Sequence, residues 1–166
     1  MPESTSTGPR WPFAISLVAV LLDQWTKNWF LNHYELYESR VIIPGFFNFT
    51  RTFNTGAAFS LFKGHPEILT GISVVVFALM VIFRNKLFAH TRIEQIAFGL
   101  VTGGIIGNLT DRMQHGHVID FIHWYVGDYS WPIFNIADSC ICIGVGLYIF
   151  SGFKKDPQIS EMSSSS

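Results

Sequence analysis

Residues 133–153 read IFNIADSCICIGVGLYIFSGF, an apolar run in which Asp138 is the only ionised side chain. Its length suits a helix crossing a bilayer, which takes about 17–25 residues. An aspartate within such a run is costly, about 2.5–3.5 kcal/mol at a helix centre on insertion scales, and so it points to function. Three more apolar stretches lie upstream, at residues 11–31, 68–83 and 93–110. The first is broken only by Asp23, Gln24, Lys27 and Asn28, the second carries no charge, and the third has Glu94 and Gln95 near its start. The second is short and borrows Pro66 and Glu67. The expected fold class is an all-α polytopic membrane protein, a four-transmembrane-helix bundle with spans at about 11–31, 67–84, 93–111 and 133–153.

Composition agrees with this reading. The chain has 166 residues, one domain by length, with 14% charged and 16% aromatic side chains, a balance suited to a bundle lying in lipid. A net charge of −1 excludes the basic footprint of a nucleic-acid binder. Cys140 and Cys142 lie two apart on an apolar helix and point to nearly opposite faces, so they read as packing residues, with no metal site or disulfide framework. A cleaved signal peptide is the alternative for the first run, since Arg10 precedes it. Asp23 and Lys27 inside it, and no small-x-small cleavage pattern after it, speak against that.

Charge sets the expected topology. Arg10, the group Arg84, Lys86 and Arg92, and the pair Lys154 and Lys155 fall on one side of the four runs. Arg40, Arg51, Lys63 and Arg112 fall on the other, diluted by Glu35, Glu38, Glu67 and Asp128. The positive-inside rule then places both termini in the cytoplasm. Trp25, Trp29, Tyr34, Tyr37, Trp124, Tyr125, Tyr129 and Trp131 gather towards the opposite face, as an interfacial belt does. The polar ends, residues 1–10 and 154–166, read as disordered cytoplasmic tails. Residues 40–62 mix β-branched and aromatic residues with turn formers (Pro44, Gly45, Asn48, Asn54 and Gly56) and predict a small extracytoplasmic β-rich region. An irregular loop is the alternative. Gly99, Gly103 and Gly107 form a small-xxx-small stripe that lets another helix approach closely.

The polar residues in or next to these runs are one-sided. Asp23 and Lys27 are spaced i,i+4 and read as a structural ion pair. Asn108, Asp111 and Arg112 close the third run, where Asp111 and Arg112 fit a helix-terminal pair. Asp120 follows in a loop among Val118, Ile119, Phe121 and Ile122, which desolvate it. Asn135 and Asp138 open the last run. Asp138 has no cation near it in sequence, and unpaired burial would be expensive. Two converging carboxylates fit a dyad sharing one proton, the device with which aspartic proteases activate water. His115, His117 and His123 are alternative bases. A transporter would need polar residues through the full membrane depth, and a scaffold has no use for one-sided paired aspartates.

Five boxes, Asp23-Gln-Trp-Thr-Lys27, Asn54-Thr-Gly-Ala-Ala-Phe59, Gly104-Ile-Ile-Gly-Asn-Leu-Thr-Asp-Arg112, Val118-Ile-Asp-Phe121 and Phe134-Asn-Ile-Ala-Asp138, resemble those of the bacterial lipoprotein signal peptidases (signal peptidase II), across residues 11–153. The resemblance implies an aspartic endopeptidase of the inner membrane that removes signal peptides from prolipoproteins, cutting just before a cysteine that carries diacylglycerol. It implies Asp120 and Asp138 as the catalytic pair and Asn54, Asn108, Arg112 and Asn135 as substrate-binding residues. Asp23, Lys27, Gly56, Asp111 and Ala137 would support them. It further implies a monomeric multi-pass protein with a periplasmic active site. Its partners would be lipidated prolipoprotein and membrane lipid, with no metal or cofactor.

Overall fold

Capping chemistry sets where the helices begin and end. In the computed structural model, which describes residues 9–56 and 65–155, helix α1 (Trp11–His33) carries Pro12 in its first turn, where a missing N–H costs nothing. After α2 (Pro66–Ile82) and the short α3 (Arg84–Leu87), α4 (Arg92–His115) opens with a reciprocal box. The Thr91 hydroxyl accepts from Glu94 N, and the Glu94 carboxylate accepts from Thr91 N, both at 3.1 Å. It stops at Gly116, whose φ of 74° suits a residue without Cβ. Helix α5 (Ile136–Lys155) completes the set.

Helix α4 is central, and its glycines are the reason. A Cβ on Gly99 would come within 2.7 Å of Pro12 O, and one on Gly103 within 2.7 Å of Ala19 Cβ, both on α1. A Cβ on Gly104 would overlap Ala137 O of α5. The glycine stripe therefore packs as its spacing predicts, and Ser16 and Thr102 bridge α1 to α4 through hydroxyls 2.6 Å apart.

Between the helices the chain forms a sheet of β1 (Ser39–Ile43), β2 (Phe47–Asn54), β3 (Val118–Val126) and β4 (Tyr129–Ser130), antiparallel and in that order. The first hairpin falls in the region predicted to be β-rich. Residues 57–62 of that region, Ala57 to Phe59 of the second box, Lys63, and residues 1–8 and 156–166 of the tails lie outside the described residues. Strand β3 takes the place of the loop expected around Asp120. Its β-branched and aromatic residues instead pair with β2, with Thr52 opposite Asp120 and Phe49 opposite Ile122, one extra residue bulging from β2 between them. On the other edge Ile122 N donates to Phe134 O (2.8 Å) and Phe134 N to Ile122 O (3.1 Å). The sheet docks on α1 through Phe121, which stacks on Phe30 at 4.1 Å beside Tyr34.

The expected all-α four-span bundle is thus corrected: the chain is mixed α/β, with a four-stranded antiparallel sheet. Among the described residues one helix, over Ile136–Phe153 with mean hydropathy 1.7, is both long and apolar enough to cross a membrane. The apolar part of α2, Glu67–Ile82, is shorter. Helices α1 and α4 are long but lose apolarity to Asp23, Gln24, Lys27, Asn108, Asp111 and Arg112. Most of those side chains point inward: Asp23 is 0% and Lys27 1% exposed, while Leu21 is 59% and Ile143 56% exposed. On α1, Leu17, Leu21 and Leu22 face outward while Asp23 and Lys27 face inward, the reverse of a water-soluble globule.

Candidate active site

Asn135 is the residue around which the site is assembled. It precedes α5, and its Oδ1 accepts from Asp138 N at 2.9 Å while Asp138 Oδ2 accepts from Asn135 N at 3.3 Å. That is a capping box, with Asp138 at the third helical position, where the exposed N–H groups of the helix end favour a carboxylate. The Asn135 amide also donates to Asp120 Oδ1 (2.7 Å), to Asn108 Oδ1 (3.1 Å) and to Ile119 O (3.3 Å). Asn108 Nδ2 in turn donates to Asp138 Oδ1 at 2.7 Å. Two amides therefore tie Asp120 on β3 to Asp138 on α5.

The far side of Asp120 is held by β2. Asn54 Nδ2 donates to Asp120 Oδ2 at 3.0 Å, and Gly56 N fixes that amide by donating to Asn54 Oδ1 at 2.9 Å. Asp120 is 1% exposed. Burial, then the charge of Asp138, push its carboxyl up to about 7, against the hydrogen bonds from Asn54 and Asn135.

Behind the pair lies a second polar layer. Lys27 Nζ binds Asp23 Oδ2 at 2.8 Å and Asp111 Oδ2 at 2.9 Å. Asp23 Oδ1 accepts from Ala137 N at 2.9 Å, and Asp111 Oδ2 accepts from Ile119 N at 3.1 Å. The Asp23–Lys27 pair forms as its spacing predicts. Asp111 turns to Lys27 and away from Arg112, because neighbouring residues on a helix do not face each other. Gln24, to which the sequence alone gives no role, donates to Asp111 Oδ1 (2.8 Å), Asp23 Oδ2 (3.2 Å) and Gly107 O (3.2 Å). Its signal was an amide beside Asp23 in an otherwise apolar run.

Asp120 and Asp138 share the wall of a cavity of about 760 Å³ with Asn54, Gly56, Asn108 and Arg112. Trp124, Trp131 and Phe134 form an aromatic side, and Ile141, Cys142 and Ile143 continue it along α5. Asn135, expected on the wall, is 0% exposed and sits behind it. Asp23, Lys27, Asp111 and Ala137 are likewise buried behind. None of His115, His117 and His123 lines the cavity. His117 lies against Phe53 at 3.8 Å, and His123 bonds Thr50 and Ser130.

Apolar-faced helices closed by a small sheet over a buried and a half-buried carboxylate, both held by amides, define a class, a membrane protein with a paired-acid cavity. Residues 15–154 match the signal peptidase (SPase) II family, and the chain belongs to that family, which makes it a bacterial membrane peptidase. It is 42% identical to the lipoprotein signal peptidase of Yersinia enterocolitica over 152 residues, 89% of each chain. With that of Xanthomonas euvesicatoria it shares 41% over 146 residues, 85% of each chain. Two solved structures described as bacterial membrane enzymes have the same fold. One superposes with a TM-score of 0.82 at 33% identity, covering 89% of this chain and 90% of its own. The other gives 0.78 at 34%, covering 87% and 94%.

Proposed function

We propose that the protein is an aspartic endopeptidase of the bacterial inner membrane. It removes the signal peptide from diacylglyceryl-modified prolipoproteins, cutting just before the lipidated cysteine. The observation that carries this reading is Asp120 and Asp138 on one cavity wall, joined through Asn135 and Asn108. Peptide hydrolysis needs an activated water, a proton for the leaving amine and a stabilised oxyanion. With the Asp120 carboxyl near 7, the pair holds one proton at neutral pH and titrates as a unit. The ionised carboxylate takes a proton from water as the water oxygen bonds to the scissile carbonyl carbon. The protonated carboxyl polarises the carbonyl oxygen. Collapse breaks the C–N bond, and a proton from the pair goes to the leaving amine. Arg112 and Asn54, with N–H groups on the wall, bind substrate carbonyls, and Asn108 and Asn135 hold the pair.

The cavity's aromatic and aliphatic sides suit an apolar signal segment and a lipid anchor. Access is lateral, from the membrane past α5. The polypeptide is multi-pass with both termini cytoplasmic and the site periplasmic, where a lipidated cysteine anchored in the outer leaflet reaches it. The described site residues all come from one chain, which supports a monomeric active form with lipidated prolipoprotein and membrane lipid as its partners. The test incubates the purified protein with a diacylglyceryl-modified prolipoprotein and reads the shift in size. Cleavage should occur, and should disappear in Asp120→Asn and in Asp138→Asn. Cleavage within roughly tenfold of wild type in either, at matched protein levels, sinks the paired-acid mechanism.

A further inference from the structure

Asn108 decides what Asp138 meets. Its Oδ1 accepts from Lys27 Nζ and from Asn135 Nδ2, each at 3.1 Å, and its Nδ2 donates to Asp138 Oδ1 at 2.7 Å. Turned over, the amide would set its NH2 against an ammonium and a second NH2, and its oxygen against a carboxylate. An ammonium has three donors and no acceptor, so Lys27 forbids that state. All three of its donors are matched, by Asp23, Asp111 and Asn108, at a position 1% exposed. Burial obliges each of the three donors to find an acceptor, and the third finds it on the residue that contacts Asp138.

We propose that Lys27 is a positioning residue for the catalytic pair: through Asn108 it fixes an N–H donor on Asp138 Oδ1. Among the described residues Oδ2 is then held only by the longer 3.3 Å bond from Asn135 N and is the oxygen freer to work on water. The inference rests on the reading above that Asp120 and Asp138 do the chemistry.

The test compares Asp23→Asn/Lys27→Met with wild type and with Asp23→Asn alone. The double substitution leaves the net charge of the Asp23, Lys27 and Asp111 trio unchanged. Full-length proteins are assayed on the diacylglyceryl-modified prolipoprotein, with thermal midpoints recorded. Misplaced catalytic groups cost up to about 100-fold, so kcat should fall by that order relative to Asp23→Asn, with KM held within roughly twofold. Placed on an Asn108→Leu background, Lys27→Met should cost less than about twofold more, since residues acting through one another are not additive. Unchanged kcat, a matching rise in KM, or an equal further loss on the Asn108→Leu background would overturn the proposal. So would failure of the Lys27 variant to fold while Asn108→Leu folds. If Asn108→Leu alone is inactive, the split between kcat and KM decides. Asp120→Asn and Asp138→Asn run alongside: cleavage by either defeats the functional reading, whereas two inactive variants beside an unimpaired Lys27 variant defeat only this inference.

Discussion

Replacing Asp120 with asparagine should change stability in a pH-dependent way, with a sign set by burial. The carboxyl lies at about 7 in the folded chain against an ordinary 3.8. A carboxyl raised on folding holds its proton longer in the folded state than in the unfolded one. Wild-type stability therefore falls as pH rises from 3.8 to about 7, and the penalty is complete above that window. At about 1.36 kcal/mol per pH unit the penalty is on the order of 4 kcal/mol. Asparagine carries no charge and escapes it. Its single oxygen can accept from Asn54 or Asn135 but not both, so it loses one buried hydrogen bond, about 1–3 kcal/mol at every pH. The variant should be less stable than wild type near pH 4.5 and equal or more stable above pH 7. Thermal unfolding in detergent across that range reads the difference. At about 2–4 °C per kcal/mol for a chain of this size, the gap between midpoints should swing by on the order of 10 °C. A gap that stays constant with pH would refute the reasoning, because Asp120 would then keep one charge state throughout.

Asp23→Ala should act through structure. It strips Lys27 of one carboxylate and Ala137 N of its acceptor, at a cost of about 3–5 kcal/mol for a broken buried pair, so thermal midpoint and activity should fall together. A fully stable but inactive variant would move Asp23 into the chemistry. Gly104→Ala should lower the midpoint, because its Cβ would overlap Ala137 O in the first turn of α5, an overpacking worth about 1–3 kcal/mol. Gly146→Ala, with nothing within 4 Å of its Cβ, should not, and equal midpoints for the two would show that α4 and α5 are not in close contact. The double variant Asp120→Asn/Asp138→Asn should be about as inactive as either single one, since the pair acts as a unit. A further loss in single-turnover cleavage would show two independent roles.

The polar set was legible because helical spacing is rigid. Asp23 and Lys27, at i and i+4, meet as their separation dictates, and the glycine stripe packs where its period puts it. Strand β3 was not legible because its first four residues, Val118 to Phe121, are all buried, which erases the alternation by which a half-buried strand is recognised. Its partner β2 lies across three helices in sequence, so no local signal announces the pairing. In the sequence Asp111 fits a pair with its neighbour Arg112, whereas its partner, Lys27, is reached only once α1 and α4 have packed. The resemblance to the signal peptidases puts Asn135 among the substrate-binding residues. The cap it forms on α5 puts it behind the wall. Where the sequence predicts four spans, one helix among the described residues, over Ile136–Phe153, is long and apolar enough to cross a membrane. A hydropathy average charges a helix for every polar side chain, whichever way it points. In α1 and α4 most of those side chains face inward, and Asp23, Lys27, Asn108 and Asp111 among them build the layer that holds Asp120 and Asp138 in place.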